Sequence, residues 1–234
     1  MENEKQTEIK LKWLQKQKYF QDRLCQEPLD CSKIRYVAGV DVAYTKIGIQ
    51  EYGCCSIIIM DYNTLNIIQE IGYIGEVDVE YHPGFLSFRE LPLVLEATKQ
   101  IEATPDIFIF DGNGILHPKR IGIATHASFY LNKPCIGVAK TFFRVEENLS
   151  FDMPDNYIGA STNIVSKNNE ILGIALRTRQ NCKPIFVSVG NYMSLENAKT
   201  IIMHCVNKES RIPIPTRFAD IETHKLRKKF LDTR

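Results

Sequence analysis

The apolar run Ile107-Phe108-Ile109-Phe110, held between Asp106 and Asp111, constrains the fold most. It shows no polar alternation, so it predicts a short strand over 106–112, buried on both faces. Such a strand needs helices above and below it. The flanks supply them. "GFLSFRELPLVLEATKQI" (84–101) and "IGIATHASFYLN" (121–132) read as helices, and "PCIGVAKT" (134–141) as the next strand. Strand, helix, strand implies a parallel crossover. In the first helix Ser87 is expected to cap the N-terminus, with Glu90 at the capping-box position and Pro92 in the first turn.

Three closely spaced strand candidates precede this unit: "YVAGVDVAY" (36–44), "CCSIIIMDYN" (54–63) and "LNIIQEIGYIG" (65–75). Their short connections predict antiparallel hairpins. A further hairpin is expected from 170–178 and 184–191, then a Ser-capped helix over 194–208 and a basic-ended helix over 215–231. Residues 4–23 place Ile9, Trp13, Leu14 and Phe20 at near-helical spacing, which predicts an amphipathic helix packed on the domain by that face. The polar stretch 147–163 reads as a surface excursion. Residues 1–234 therefore predict a single α/β domain with a mixed central β-sheet flanked by α-helices.

The composition, 44% hydrophobic and 24% charged, allows a full core, and a formal net charge of +1 offers no global attraction for nucleic acid. Any basic footprint must be local. Seven cysteines, an odd number with no Cys-x-x-Cys pair, suggest reduced thiols and a cytoplasmic location. No apolar stretch reaches the length of a membrane span, and a monomer without a membrane partner is expected.

Two acids stand where strands do not want them. Asp41 lies inside "AGVDVAY", and Asp111 ends "FIF". Asp is disfavoured in strands, and a buried carboxylate is costly unless paired or bound to a cation. Singly, each could cap a turn or pair with an arginine. Together, in one mixed sheet, they point to Mg²⁺, which takes hard oxygen ligands. Glu90 reads equally as a cap partner or a ligand, and Asp220, one turn into the last helix, carries no signal alone. Gly112 and Gly114 let backbone approach a ligand, and His117, Lys119 and Arg120 precede a helix N-terminus that favours anions. "YHPGF" (81–85) is a rigid loop able to wedge between bases. Lys140, after "CIGVA", could neutralise a phosphate.

Five motifs then occur in order: "GVDVAY", "YHPGFLSFRE", "FDGNGILHPKRIGIATH", "GVAKT" and "PIPTRFAD". Together they resemble the endonuclease V family of inosine-directed nucleases, over about residues 9–228. The resemblance implies a ribonuclease H-like fold and a Mg²⁺ cofactor with Mn²⁺ as a substitute. It implies cleavage of inosine-containing DNA or RNA one nucleotide 3′ of the lesion, leaving 3′-hydroxyl and 5′-phosphate ends. Asp41, Glu90, Asp111 and Asp220 would be the metal-binding and catalytic acids, with Lys140 near the scissile phosphate. The substrate would be held by Tyr81, His82, Pro83, Gly84, Leu86, Gly112, His117, Gly122 and Ile123. The family's wedge reads Pro-Tyr-Ile-Pro, whereas this chain has Glu80-Tyr81-His82-Pro83. An acid close to a phosphate backbone is mildly repulsive, so strand separation is expected to differ. The alternatives are a non-cleaving inosine-binding protein and a related nuclease with another lesion range.

Overall fold

The computed structural model describes residues 2–147 and 149–233. A helix, α1 (Glu2–Gln21), leads into the expected meander of β1 (Tyr36–Ile47), β2 (Gln50–Asp61) and β3 (Ile67–Glu76). Next come α2 (Leu86–Thr98), β4 (Ile107–Asp111), α3 (Ile123–Leu131) and β5 (Cys135–Ala139). The chain continues through β6 (Ser161–Val165), β7 (Ile171–Leu176) and β8 (Ile185–Val189), and closes with α4 (Leu195–His204) and α5 (Ile214–Asp232). All eight strands form one sheet in the order β3-β2-β1-β4-β5-β8-β7-β6. β1, β4 and β5 run parallel, and the other neighbours are antiparallel.

Alternation along the central strands builds two core layers. Val37, Ile107, Ile109 and Ile136 face α4 and α5, meeting Ile201 and Ala219. Ala38, Val40, Phe108 and Phe110 face α2 and α3, meeting Val94, Ala97, Ala124 and Ala127. Each fully buried large apolar side chain contributes roughly 1.5–3 kcal/mol, so the register is firmly specified. Val37 pairs with Ile107, and the ladder runs on to Val40 with Phe110. One further step sets Asp41 beside Asp111, both on the α5 face.

α5 closes over these acids because β1 carries a glycine beneath it. A Cβ on Gly39 would stand 2.0 Å from the Pro215 carbonyl carbon. Only glycine lets the helix backbone lie so close. α5 buries Pro215, Thr216, Ala219 and Thr223, a single stripe at helical spacing, and Asp220 borders that stripe.

Several sequence expectations change. β6 falls largely within the stretch expected to be a surface excursion. Only Ile164 of its five residues is buried, so this edge strand carries no alternation to detect. The capping box on α2 does not form. Phe85 occupies the N-cap without a side-chain cap bond, and Ser87, inside the first turn, bonds through Oγ to His126 Nδ1 at 2.7 Å. Pro92 lies inside the helix rather than in its first turn, where it denies the Phe88 carbonyl its N–H donor. α1 packs by only part of the expected face: Trp13 stacks on Phe88 at 5.0 Å and Phe20 on Phe129 at 4.4 Å, with Gln17 buried between them. Ile9 and Leu14 remain exposed.

Candidate active site

Asp41, Asp111 and Asp220 each present a carboxylate oxygen within 4.8 Å of the others. β1, β4 and α5 bring them together although Asp41 and Asp220 are 179 positions apart, 220 less 41. The cluster is charge-dense. Lys140, just past the end of β5, places Nζ 2.6 Å from Asp111 Oδ2 and 3.5 Å from Asp220 Oδ1. One ammonium thus faces three carboxylates. Burial raises the Asp41 carboxyl above its ordinary value. The Thr223 hydrogen bond opposes the rise, the Asp111 and Asp220 charges add to it, and Lys140 opposes it. Burial would lower Lys140, but its hydrogen bond to Asp111 and the charges of Asp111, Asp220 and Asp41 outweigh that and raise it. This donor set suits a hard divalent cation: carboxylate oxygens alone, with more negative charge than the lysine offsets.

Glu90, on α2 across the sheet, is not among the acids whose oxygens lie within 4.8 Å of one another, although the charges of Asp41 and Asp111 act on it. Tyr44 Oη donates to its Oε1 at 3.2 Å. Burial lifts the Glu90 carboxyl to about 8, against the Tyr44 bond, and the Asp41 and Asp111 charges add to the rise. Tyr44 is itself fixed by Arg89, whose guanidinium lies 4.3 Å from the ring centroid and pairs with Glu51 at 2.7 Å. On the other side, Thr223 Oγ1 donates to Asp41 Oδ2 at 2.7 Å and orients it. Sequence reasoning missed both hydroxyl donors. A signal for Thr223 existed, since it follows Asp220 by three residues on the same helical face. Tyr44 lies three residues beyond Asp41 on the opposite face of β1, and its link to Glu90 is purely tertiary.

A cavity of about 480 Å³ opens beside the acids and shares Asp111 and Lys140 with them. Tyr81, Gly84, Leu86, Gly112, His117, Gly122 and Ile123, all expected to hold substrate, line it. Asn113, Ser87, Thr141 and Phe143 line it too and were not anticipated. His82 and Pro83 do not line it. His82 instead turns towards α1, its ring 6.2 Å from that of Trp13, and Pro83 is exposed at the tip of the turn. Tyr81 is 62% exposed at the cavity wall, free to offer a ring face.

The basic residues of "HPKR" divide. His117 is buried, and the Lys119 backbone N–H donates to its Nδ1 at 3.1 Å. Its proton therefore sits on Nε2, which donates to the Gly84 carbonyl at 3.1 Å. Burial depresses the imidazole to about 4, with the Gly84 bond opposing and the Arg120 and Lys119 charges assisting. His117 is thus a neutral clamp between two cavity loops. Arg120 is equally occupied, bonding Glu146, Glu170 and the His117 carbonyl. Only Lys119 of this stretch remains an exposed cation, which corrects the expectation that the pair meets nucleic acid.

The family model for endonuclease V matches residues 18–221 of the chain. An endonuclease V from Bacillus thuringiensis subsp. konkukian is 52% identical over 200 residues, covering 86% of this chain and 84% of its own. The crystal structure of endonuclease V from Bacillus subtilis matches with a TM-score of 0.92 at 44% identity, over 96% of this chain and 94% of that one. Endonuclease V from Ciona intestinalis, in complex with a 24mer DNA containing an inosine followed by a ribo-adenosine, matches with a TM-score of 0.84 at 28% identity. That match covers 95% of this chain and 99% of the Ciona chain. The mixed sheet with helices on both faces is the ribonuclease H-like architecture shared with these structures.

Proposed function

The chain belongs to the endonuclease V family, and from that premise we propose that it is a divalent-cation-dependent nuclease that cuts inosine-containing DNA or RNA. The cut would fall one nucleotide 3′ of the inosine and leave 3′-hydroxyl and 5′-phosphate ends. The observation that carries this reading is the gathering of three aspartates within 4.8 Å beside a cavity large enough for a nucleobase. The inosine-containing DNA bound by the Ciona relative supports the choice of base. All seven cysteines are free, which supports a reducing compartment such as the cytoplasm.

Asp41, Asp111 and Asp220, with Glu90, would hold Mg²⁺, or Mn²⁺ in its place. A cation bound there supplies charge stabilisation for an in-line displacement at phosphorus. The chain's own residues do the rest. Thr223 keeps one Asp41 oxygen aimed inward. Lys140 neutralises a non-bridging phosphate oxygen at the border between acids and cavity. Glu90 accepts from Tyr44 on Oε1, so a proton that it holds sits on Oε2. Tyr81 stacks against the base or fills the gap that it leaves, which is easiest for a mispaired purine. Backbone N–H groups of the cavity wall favour the hypoxanthine carbonyl over the adenine amine. An amine placed against a donor leaves both groups unpaired.

The test is a labelled oligonucleotide with a single inosine, incubated with Mg²⁺ and resolved on a gel. The wild-type chain cuts it at the stated position. Asp41→Ala and Asp111→Ala each lose at least about 10³-fold in rate, roughly 4 kcal/mol of barrier, while still shifting the oligonucleotide on a native gel. Full activity in either variant removes the acids from the reaction. A wild-type chain that binds inosine without cutting favours the non-cleaving alternative.

A further inference from the structure

We propose that Gln17, on the N-terminal helix, is a positioning residue for the base cavity. Its side-chain amide fixes the Gly84 carbonyl and thereby sets the turn that forms one cavity wall. The inference rests on the reading of that cavity as the inosine site.

The wall is a tight turn. Phe85 N–H donates to the His82 carbonyl at 3.0 Å, with Pro83 and Gly84 between them. Gly84 has φ +81, the left-handed value that the third position of a type II turn requires, and proline suits the second. The Gly84–Phe85 peptide is planar, so the direction of its carbonyl fixes the Phe85 N–H as well. That peptide feeds directly into α2, where Leu86 and Ser87 line the cavity. Its rotation therefore sets where the wall stands.

Two side chains hold the carbonyl. Gln17 Nε2 donates at 2.9 Å and His117 Nε2 at 3.1 Å. Gln17 comes from a helix 67 residues away, while His117 belongs to the opposite cavity loop. Packing does not account for the glutamine. It is 1% exposed, and its Oε1 is buried without a hydrogen-bond partner. Its neighbours on that helical face, Trp13 and Phe20, stack on aromatic rings. An apolar side chain of similar size would fill the place without burying an unpaired oxygen. What the amide alone supplies is the bond to Gly84. Gln17 also lies one residue outside the stretch that the family model matches.

The experiment compares wild type with Gln17→Met, which keeps length and volume but has no donor. Gln17→Leu, also apolar and without a donor, reads the same prediction should the first variant fold poorly. Single-turnover cleavage of single-stranded inosine and adenine oligonucleotides is measured with Mg²⁺, together with the Kd for the inosine strand in EDTA and the melting temperature. The expected result is a melting temperature for Gln17→Met no lower than wild type and a single-turnover rate at saturating enzyme within about twofold. The Kd rises about tenfold and inosine preference falls by a similar factor, as expected for the loss of one buried hydrogen bond. Unchanged Kd and unchanged preference overturn the proposal, and so does a lowered melting temperature with preference intact, since that is a packing role. Failure of wild-type protein to bind or cut the inosine strand is distinguishable: it removes the inosine reading itself, whatever the variants do.

Discussion

The acid cluster and the base cavity share Asp111 and Lys140, yet they are assembled in opposite ways. The acids sit on regular elements. Strand register places Asp41 beside Asp111, and one helix, pressed onto Gly39, brings Asp220 over them. The cavity is walled by loops, namely the turn around Gly84, the segment from Gly112 to Gly122 and the chain beyond Lys140. Its geometry depends on single hydrogen bonds such as those to the Gly84 carbonyl. The difference separates two kinds of failure. Damage to the sheet and helix should abolish chemistry, whereas damage to the loops should blur the choice of base.

A large effect is expected from a single added atom at Gly39. Gly39→Ala drives a methyl into the Pro215 backbone, 2.0 Å away. Such overpacking costs roughly 1–3 kcal/mol or more. It should lower the melting temperature by several degrees and displace Asp220, so cleavage falls even in the folded fraction. A variant with wild-type cleavage would show that α5 need not sit so close. Tyr81→Ala comes next. Removing a stacking ring weakens base binding by about 1–3 kcal/mol, so the Kd for an inosine strand should rise with no change in melting temperature. An unchanged Kd for the inosine strand in this variant would remove Tyr81 from the wall's function.

A third expected effect is on acid stability. Burial holds His117 at about 4 and His126 at about 3, both below the ordinary 6.5. Below pH 6.5 the unfolded chain takes up protons that the folded chain refuses until about pH 4 and about pH 3. The stability from these neutral rings is therefore complete above pH 6.5 and is lost progressively towards acid. His126→Asn should flatten the fall in denaturation midpoint between pH 6.5 and 4 relative to wild type. An unaltered slope would assign acid lability elsewhere.

The same division explains what could be read from the chain. Asp41 and Asp111 were legible because acids in apolar strands break a pattern, and the strand-helix-strand order indicated that β4 and β5 run parallel, though not that β1 joins β4 in parallel. The cavity glycines were legible through the resemblance of their motifs. The face of α1 was legible only in part: Trp13 and Phe20 pack as expected, but the residue between them is a glutamine, which periodicity assigns to solvent. Arg120 looked like a phosphate ligand because its partners, Glu146 and Glu170, lie 26 and 50 residues away. Ser87 fitted a capping box in sequence, but His126 provided a stronger tertiary partner.

Calorimetric titration of Mn²⁺ into the wild-type chain and into Asp111→Asn tests most directly whether the three aspartates form a cation site. Saturable binding to the wild type that disappears in Asp111→Asn, with the variant's melting temperature retained, is the expected result. Equal binding to both proteins, or none to either, would mean that these carboxylates serve only to pair with Lys140.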